Sequence, residues 1–395
     1  MLKVLLLTDF SSGYSRNLLK GVVDYAKKHG PWIFYRMPLY YRDRYGDKGV
    51  VKWAKEWKAD AIIAQLNDVD INSLNELNIP ILVQNYTSRN VNVSNITGDY
   101  FGTGVMAAEY FIRRGYKNFA YYGFTDAVWM RERGYGFRAG VERAGYKVDF
   151  FNEKDLTIGE KGKWHIDDMK VVEWLNTLPK PIALFACDDF FALQITEICK
   201  MHNIGIPRDI ALLGVDNDNL LCHISDPLLS SIELDVRRGG YEAGRLIDEV
   251  IRKGDPVKPV DIVVRPTRVV TRKSTDSFAT TDKYINLVLN YIKEHFMEPL
   301  SVDDIVEIVP FSRRVLEKRF KSETGMPVYQ YIQFVRVDHF IHLMLTSDIT
   351  LSNAASLSGF DDYKNISRVF VKLKGMSPSE FRKIHKIEDN DVKRV

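Results

Sequence analysis

From residue 1 to about 270, short runs of aliphatic and aromatic residues alternate with stretches whose apolar positions recur every three or four residues. Lys3–Leu7, Trp32–Met37, Ala61–Ala64, Pro80–Gln84, Asn118–Tyr122, Val148–Asn152, Ile182–Ala186 and Ile210–Leu213 read as strands. Ser15–His29, Val50–Trp57, Ile71–Leu77, Gly102–Arg114, Arg133–Ala144, Asp167–Thr177, Phe191–His202 and Gly240–Arg252 read as helices. Such alternation predicts parallel sheets with right-handed crossovers. The number of strands predicts two sheets, with a ligand crevice at the carboxyl ends of their strands.

The pattern changes after residue 272. Residues 273–282 are polar and without periodicity, and read as a linker between domains. Asp282 then stands as the cap of a helix running to His295. Two similar units follow, about fifty residues apart and joined by a long helix over Val328–Thr346. Each reads as a short apolar helix, a tight turn and a second helix that is basic on its exposed side, the pattern of a helix-turn-helix. In the first unit Ser301 and Asp304 are placed as a capping box, and Ser312 as the cap of the second helix. Leu316 and Phe320, four apart, face inward, which leaves Arg313, Arg314, Glu317, Lys318 and Lys321 outside. In the second unit Gly359-Phe360 makes the turn. Ile366 and Phe370 face inward, while Tyr363, Lys364, Asn365 and Arg368 face out. An exposed Asn or Arg suits bidentate reading of adenine or guanine edges, and a neighbouring lysine such as Lys372 suits phosphate. The expected organisation is a sensor domain over 1–272, a linker over 273–282, a DNA-binding domain over 283–386 and a charged tail over 387–395.

Composition narrows the classes. The 395 residues exceed one ordinary core, and 45% hydrophobic with 27% charged residues are globular values. No apolar run approaches the roughly 18 residues of a membrane span. The apolar start, Met1 to Leu7, is too short for a secretion signal and reads as a buried strand. Three cysteines without metal-type spacing suit a reducing cytoplasm. The net charge of +3 says little about DNA, and the region 280–395 holds 17 Lys and Arg against 16 Asp and Glu. The basic residues are instead gathered: Arg313, Arg314, Lys318, Arg319 and Lys321 in one helix, Lys364, Arg368, Lys372 and Lys374 in another.

Residues 283–385 resemble the DNA-binding domain of the arabinose-regulator (AraC/XylS) family. The matching words are Ser312-x-x-x-Leu316-x-Lys318-x-Phe320-Lys321, Gly325, Tyr331-Ile332, Arg336, Gly359-Phe360, Arg368-x-Phe370, Lys374-Gly375, Ser377-Pro378 and Phe381-Arg382. Four positions depart from the family pattern: Pro310 for a turn glycine, Val306 for a small alanine, Lys318 for arginine, and Val371 for lysine. The resemblance implies that one such domain reads two adjacent major-groove segments of double-stranded DNA, and that RNA polymerase is a partner.

Residues 2–270 resemble the effector domain of lac-repressor-type regulators, itself similar to periplasmic sugar-binding proteins. The words are Asp99 before Gly102–Arg114, Gly115-Tyr116-Lys117-Asn118-Phe119-Ala120, Arg133-x-x-Gly136-Phe137 and Phe185-Ala186-Cys187-Asp188-Asp189. They continue with Ile206-Pro207-Arg208-Asp209, Gly214-Val215-Asp216-Asn217 and Pro227-Leu228-Leu229-Ser230-Ser231-Ile232. A sugar site needs charged planar groups to bridge adjacent hydroxyls and an aromatic face for the ring. Asp216, Arg133, Asp188 and Asp99 sit at strand or helix ends where they can reach the crevice, and their family counterparts line the ligand site. Asp9 is a further candidate, and Phe10 and Trp164 are candidate stacking rings. Asp189 reads as a helix cap. The resemblance also implies a homodimer.

A sensor of this type followed by an arabinose-regulator domain is the layout of a group of pentose-operon activators. The run Leu316-Glu317-Lys318-Arg319-Phe320-Lys321 and the region of Trp164 are similar to that group, which implies a pentose effector, D-xylose first. Two other classes compete. A transport binding protein would need a secretion signal and has no use for the C-terminal units. An enzyme would need a catalytic constellation. Asp188 and Asp189 are adjacent and point apart if on a strand, His339-x-x-His342 lacks a third ligand, and no nucleophile elbow or phosphate loop occurs. Neither a cofactor nor a metal is expected.

Overall fold

The computed structural model describes residues 1–8, 11–66, 71–85, 89, 92–123, 127–151, 168–253, 258–280 and 282–385. The first lobe is a six-stranded parallel sheet of β1 (Leu2–Leu7), β2 (Trp32–Arg36), β3 (Ala61–Leu66), β4 (Ile81–Asn85), β5 (Ser94–Gly98) and β11 (Asp261–Val264). Its spatial order is β11-β5-β4-β3-β1-β2. The second lobe repeats the plan with β6 (Phe119–Tyr122), β7 (Val148–Phe150), β8 (Ile182–Ala186), β9 (Ile210–Val215), β10 (Ser230–Leu234) and β12 (Pro266–Val270). Their order is β12-β10-β9-β8-β6-β7, with β12 antiparallel to β10. In each sheet the chain reverses direction beside its first strand, between β1 and β3 and between β6 and β8. Open α/β sheets hold ligands outside the carboxyl ends of strands at such switch points.

Three crossings join the lobes: β5 into α4 (Tyr100–Arg113), β10 into α9 (Val236–Lys253), and β11 into β12. Helix α4 packs on α5 (Val128–Arg143), and α1 (Gly13–His29) packs on α9. Glycine allows the first approach. A Cβ on Gly104 would lie 2.1 Å from the Arg133 carbonyl oxygen, and one on Gly136 would lie 2.0 Å from that of Phe101. This contact fixes the part of α5 that carries Arg133. Helix α2 (Leu39–Trp57) begins well before the expected Val50, through a kink at Gly46. The remaining sensor helices are α3 (Ile71–Asn75), α6 (Asp168–Thr177), α7 (Asp189–Met201) and α8 (Asn219–Ile224).

The C-terminal domain holds α10 (Lys283–His295), α11 (Val302–Glu307), α12 (Arg313–Thr324), α13 (Val328–Thr346), α14 (Leu351–Leu357), α15 (Tyr363–Lys374) and α16 (Pro378–His385). Two small cores form. One gathers Ile285, Leu289, Ile305, Leu316, Phe320 and Ile332; the other gathers Phe340, Ile341, Ala355, Ile366, Phe370 and Phe381. Helix α13 contributes to both and so fixes their separation. Among the described residues no helix is long and apolar enough to cross a membrane.

The polar stretch after β12 is not a free tether. A 3-10 turn, Lys273–Thr275, buries Ser274 and Thr275. The Ser274 hydroxyl donates to the Leu212 carbonyl (2.6 Å) and accepts from the Ser230 N–H (2.8 Å). Thr275 bonds the Tyr110 hydroxyl (2.6 Å), and the Ala279 N–H donates to the Arg114 carbonyl (3.0 Å). These residues are polar because the sensor supplies their partners. The DNA-binding domain then packs along the second lobe. Lys117 pairs with Glu323 (3.2 Å), and the Arg113 guanidinium lies 3.9 Å from the Phe334 ring centre. His385, at the end of α16, meets Asp235 at 2.9 Å, with both side chains 4% exposed. Between the domains lies a cavity of about 600 Å³, lined by Met106, Arg113, Arg268, Phe334, Asp338 and Lys374 among others.

Candidate ligand crevice and nucleic-acid interface

The end of β9 carries the crevice's most constrained backbone. Asp216 and Asn217 both adopt positive φ, 98° and 48°. Non-glycine residues in that region cost energy and persist where surrounding structure holds them. Here the Asp216 N–H donates to the Ile232 carbonyl (2.9 Å) and the Asn217 N–H to the Ser231 hydroxyl (2.9 Å). The result turns the Asp216 carboxylate toward Arg133, whose Nη2 lies 3.3 Å away. Arg133 is 3% exposed and also donates to the Cys187 carbonyl (2.6 Å). Burial opposes its charge, but Asp216, Tyr100 and Asp188 outweigh that and hold its pKa up. Asp216, 21% exposed, is pushed above the ordinary carboxylate range by burial, against the pull of Arg133.

Asp188 closes this group from the end of β8. It is the N-cap of α7 and accepts from the Phe191 N–H (2.9 Å). Burial first, and the nearby Asp216 second, raise its pKa to about 7. Asp189 is the first residue of α7 rather than its cap, and accepts from the Asp218 N–H (2.7 Å). The adjacent carboxylates thus part at a helix start, not along a strand. Asp99 N-caps α4 by accepting from the Gly102 N–H (2.8 Å). Asp9, Phe10 and Trp164 lie outside the described residues.

The pattern of apolar positions gives no hint of two further crevice residues, Tyr14 and Gln84. The Tyr14 hydroxyl, Arg133 Nε and Gln84 Oε1 are buried and have no hydrogen-bond partner among the described residues. Tyr14 enters from the first turn of α1. Burial pushes its hydroxyl pKa well up, and Tyr100, Asp216 and Asp235 add to the rise. Buried polar groups carry partners as a rule, so these atoms have hydrogen-bonding capacity left over at the crevice. The lobes already meet across the opening. Asp218 accepts from the Gly13 N–H (2.7 Å) and from Arg16 (3.1 Å), and Arg89 grips Glu132 through two bonds of 2.6 and 2.7 Å. Among the described residues no three His, Cys, Asp or Glu side chains gather as metal ligands. His339 instead bonds the Ser358 hydroxyl (3.2 Å).

In the DNA-binding domain, α12 and α15 have equal length and matching ends. Gly325 and Gly375 close them with φ of 77° and 72°, each N–H bonding the carbonyl four residues back. Every residue of α12 therefore answers to the one fifty positions on in α15. Leu316 and Phe320 are buried, as are Ile366 and Phe370. At 3.6 residues per turn the opposite face presents Arg314, Lys318 and Lys321 in one unit and Lys364, Arg368 and Lys372 in the other. All six are exposed. Asn365 is exposed beside them. Arg313 is exposed and pairs with Asp303 (2.9 Å), whereas Arg319 pairs with Asp282 (2.7 Å). Glu317 is half-buried and accepts from the Val328 N–H (3.2 Å), and the Tyr363 hydroxyl lies 3.3 Å from that of Ser379. The capping box of Ser301 and Asp304 is formed, while Ser312 stands at the cap without a side-chain bond. In this register Val309, not Pro310, answers to the turn glycine Gly359. The first unit turns without positive φ there, so Pro310 is accommodated.

Two family models match the chain: a periplasmic binding protein-like domain over residues 108–275 and a helix-turn-helix domain over 305–384. The xylose operon regulatory protein of Escherichia coli (strain K12) is 27% identical over 397 residues, covering 97% of each chain. The helix-turn-helix transcriptional activator RhaR of Escherichia coli O1:K1 is 29% identical over 120 residues, 30% of this chain and 43% of that one. Among solved structures, that of a xylose-binding transcription activator is similar with a TM-score of 0.59 and 25% identity, covering 98% of each chain.

Proposed function

We propose that this chain, an AraC-type transcriptional regulator whose sensor is a periplasmic-binding-protein-like domain, binds D-xylose between its lobes and activates genes for pentose use. It acts in the cytoplasm as a homodimer that places two DNA-binding domains on an operator and engages RNA polymerase. Asp216, Arg133, Asp188 and Asp99 hold the sugar hydroxyls; Arg314, Lys318, Lys321, Lys364, Asn365, Arg368 and Lys372 meet the DNA. The observation that carries the sugar reading is the strained Asp216 carboxylate on Arg133, beside buried polar atoms of Tyr14, Arg133 and Gln84 that no described residue satisfies. Neutral sugars supply both donors and acceptors to such a set. The full-length similarity to xylose regulators supports the choice of pentose.

The test is a thermal-shift titration against pentoses and hexoses, since a ligand stabilises the state that binds it. D-xylose is expected to raise the melting temperature most. Asp216→Ala is expected to remove that rise and leave the sugar-free melt cooperative, because truncating one partner of a buried charged hydrogen-bond set costs about 2–5 kcal/mol of binding. Unchanged xylose affinity in this variant would take Asp216 out of the site. A rise with another sugar alone would replace the ligand.

A further inference from the structure

The structure assigns to Val315 the reading of a thymine methyl group in the DNA segment that faces the first helix-turn-helix unit. The inference rests on the DNA-reading role proposed above and adds a specificity-determining residue to it. Because α12 and α15 share length, a closing glycine and two buried positions four apart, their outward residues can be compared pair by pair. Two pairs keep their chemistry: Arg314 with Lys364, and Lys318 with Arg368. These cations suit contacts common to both units. The third helical position does not keep it. In α15 it holds Asn365, whose side-chain amide makes no hydrogen bond among the described residues. In α12 it holds Val315, an apolar side chain 42% exposed within an otherwise charged helix surface.

That position lies in the first turn, and the N-terminal residues of a recognition helix are the ones that touch base edges. Asparagine there pairs with the N6 and N7 atoms of adenine. Valine can neither donate nor accept. The one major-groove feature that complements it is the C5-methyl of thymine. Arg314 and Lys318 lie on the adjoining face of the helix, about 100° and 60° round from Val315, and draw that side of the helix, Val315 with it, onto the DNA. The units therefore read different bases through the same helical position, thymine in the first and adenine in the second. Val371, also exposed, sits in the last turn of α15 and lacks this placement.

The full-length chain is first used to select its site from a random duplex library. Failure to enrich any sequence would sink the DNA-reading role itself. With a site in hand, each thymine is replaced by deoxyuridine, which removes only the methyl. One replacement is expected to weaken the wild-type chain about fourfold, as for the loss of one buried carbon at about 0.8 kcal/mol. Val315→Ala should bind the two duplexes equally, Val315→Asn should prefer adenine at that position, and Val371→Ala should behave as wild type. Val315 is outside the core, so the variants should melt with the wild type. The assignment is overturned if no thymine methyl matters, if Val315→Ala keeps the full methyl effect, or if Val371→Ala is the variant that erases it.

Discussion

Asp188 combines a capping bond with a carboxyl raised to about 7, well above its ordinary 3.8. Burial and Asp216 cause the rise, and both act only in the folded chain. The folded state therefore holds this proton more tightly than the unfolded one. Its contribution to stability is fully present below about pH 4 and is lost as pH climbs to about 7, by at most about 1.4 kcal/mol per unit. A sugar hydroxyl donating to Asp188 favours the ionised form and expels the proton. Xylose affinity should then rise with pH up to about 7, with proton release detectable by calorimetry in buffers of different ionisation enthalpy. Asp188→Asn should flatten both profiles. A wild-type affinity that stays constant from pH 5 to 8 would show that Asp188 does not face the sugar.

At the level of elements, α15 offers two kinds of contact that salt separates. Arg368 points straight away from the buried Ile366 and Phe370, whereas Lys372 lies to one side, nearer the helix end. Arg368→Ala should cost about 1–3 kcal/mol on the selected site and relax the preference at one base pair. Lys372→Ala should weaken all duplexes alike and lower the salt slope by about one phosphate contact. Equal losses on selected and random DNA from Arg368→Ala would contradict its role. These helices are legible in the sequence because their cores are apolar at three- and four-residue spacing and their caps are local. Strand β5 is not. It buries Asn95 and Thr97, whose polarity reads as loop until Asp261 on β11 appears as the partner of Asn95 at 2.7 Å. The docked turn at Lys273–Thr275 escapes for the same reason, since its hydrogen-bond partners lie far away along the chain. Asp216 and Arg133 are legible as candidates from the words around them. Tyr14 is not, because a tyrosine in the first turn of an amphipathic helix looks like ordinary core.

On the scale of the whole molecule, one carboxylate joins hinge and DNA-binding domain. Asp235 stands where β10 crosses to the first lobe. One of its oxygens accepts from the N–H of Arg265, at the crossing from β11 to β12, and the other meets His385 of α16. Lobe rotation changes the backbone at these crossings, so it must move or release α16. On the proposed function sugar and operator are then linked, and each is expected to change the other's affinity by the same factor. Xylose titrations with and without the selected operator should give that factor, and His385→Ala should shrink it in both directions while each ligand still binds alone. Operator that leaves sugar affinity unchanged in the full chain would refute the linkage.

The cavity of about 600 Å³ at this junction has a consequence of its own. Burial pushes the Asp338 carboxyl up and the Lys374 ammonium down across it, so these groups gain solvation when the domains part. Water packs more densely around charges that become exposed, so parting shrinks the system. Hydrostatic pressure acts on volume alone. Compression should therefore free the DNA-binding domain from the sensor before either core yields, imposing mechanically a domain separation that needs no sugar.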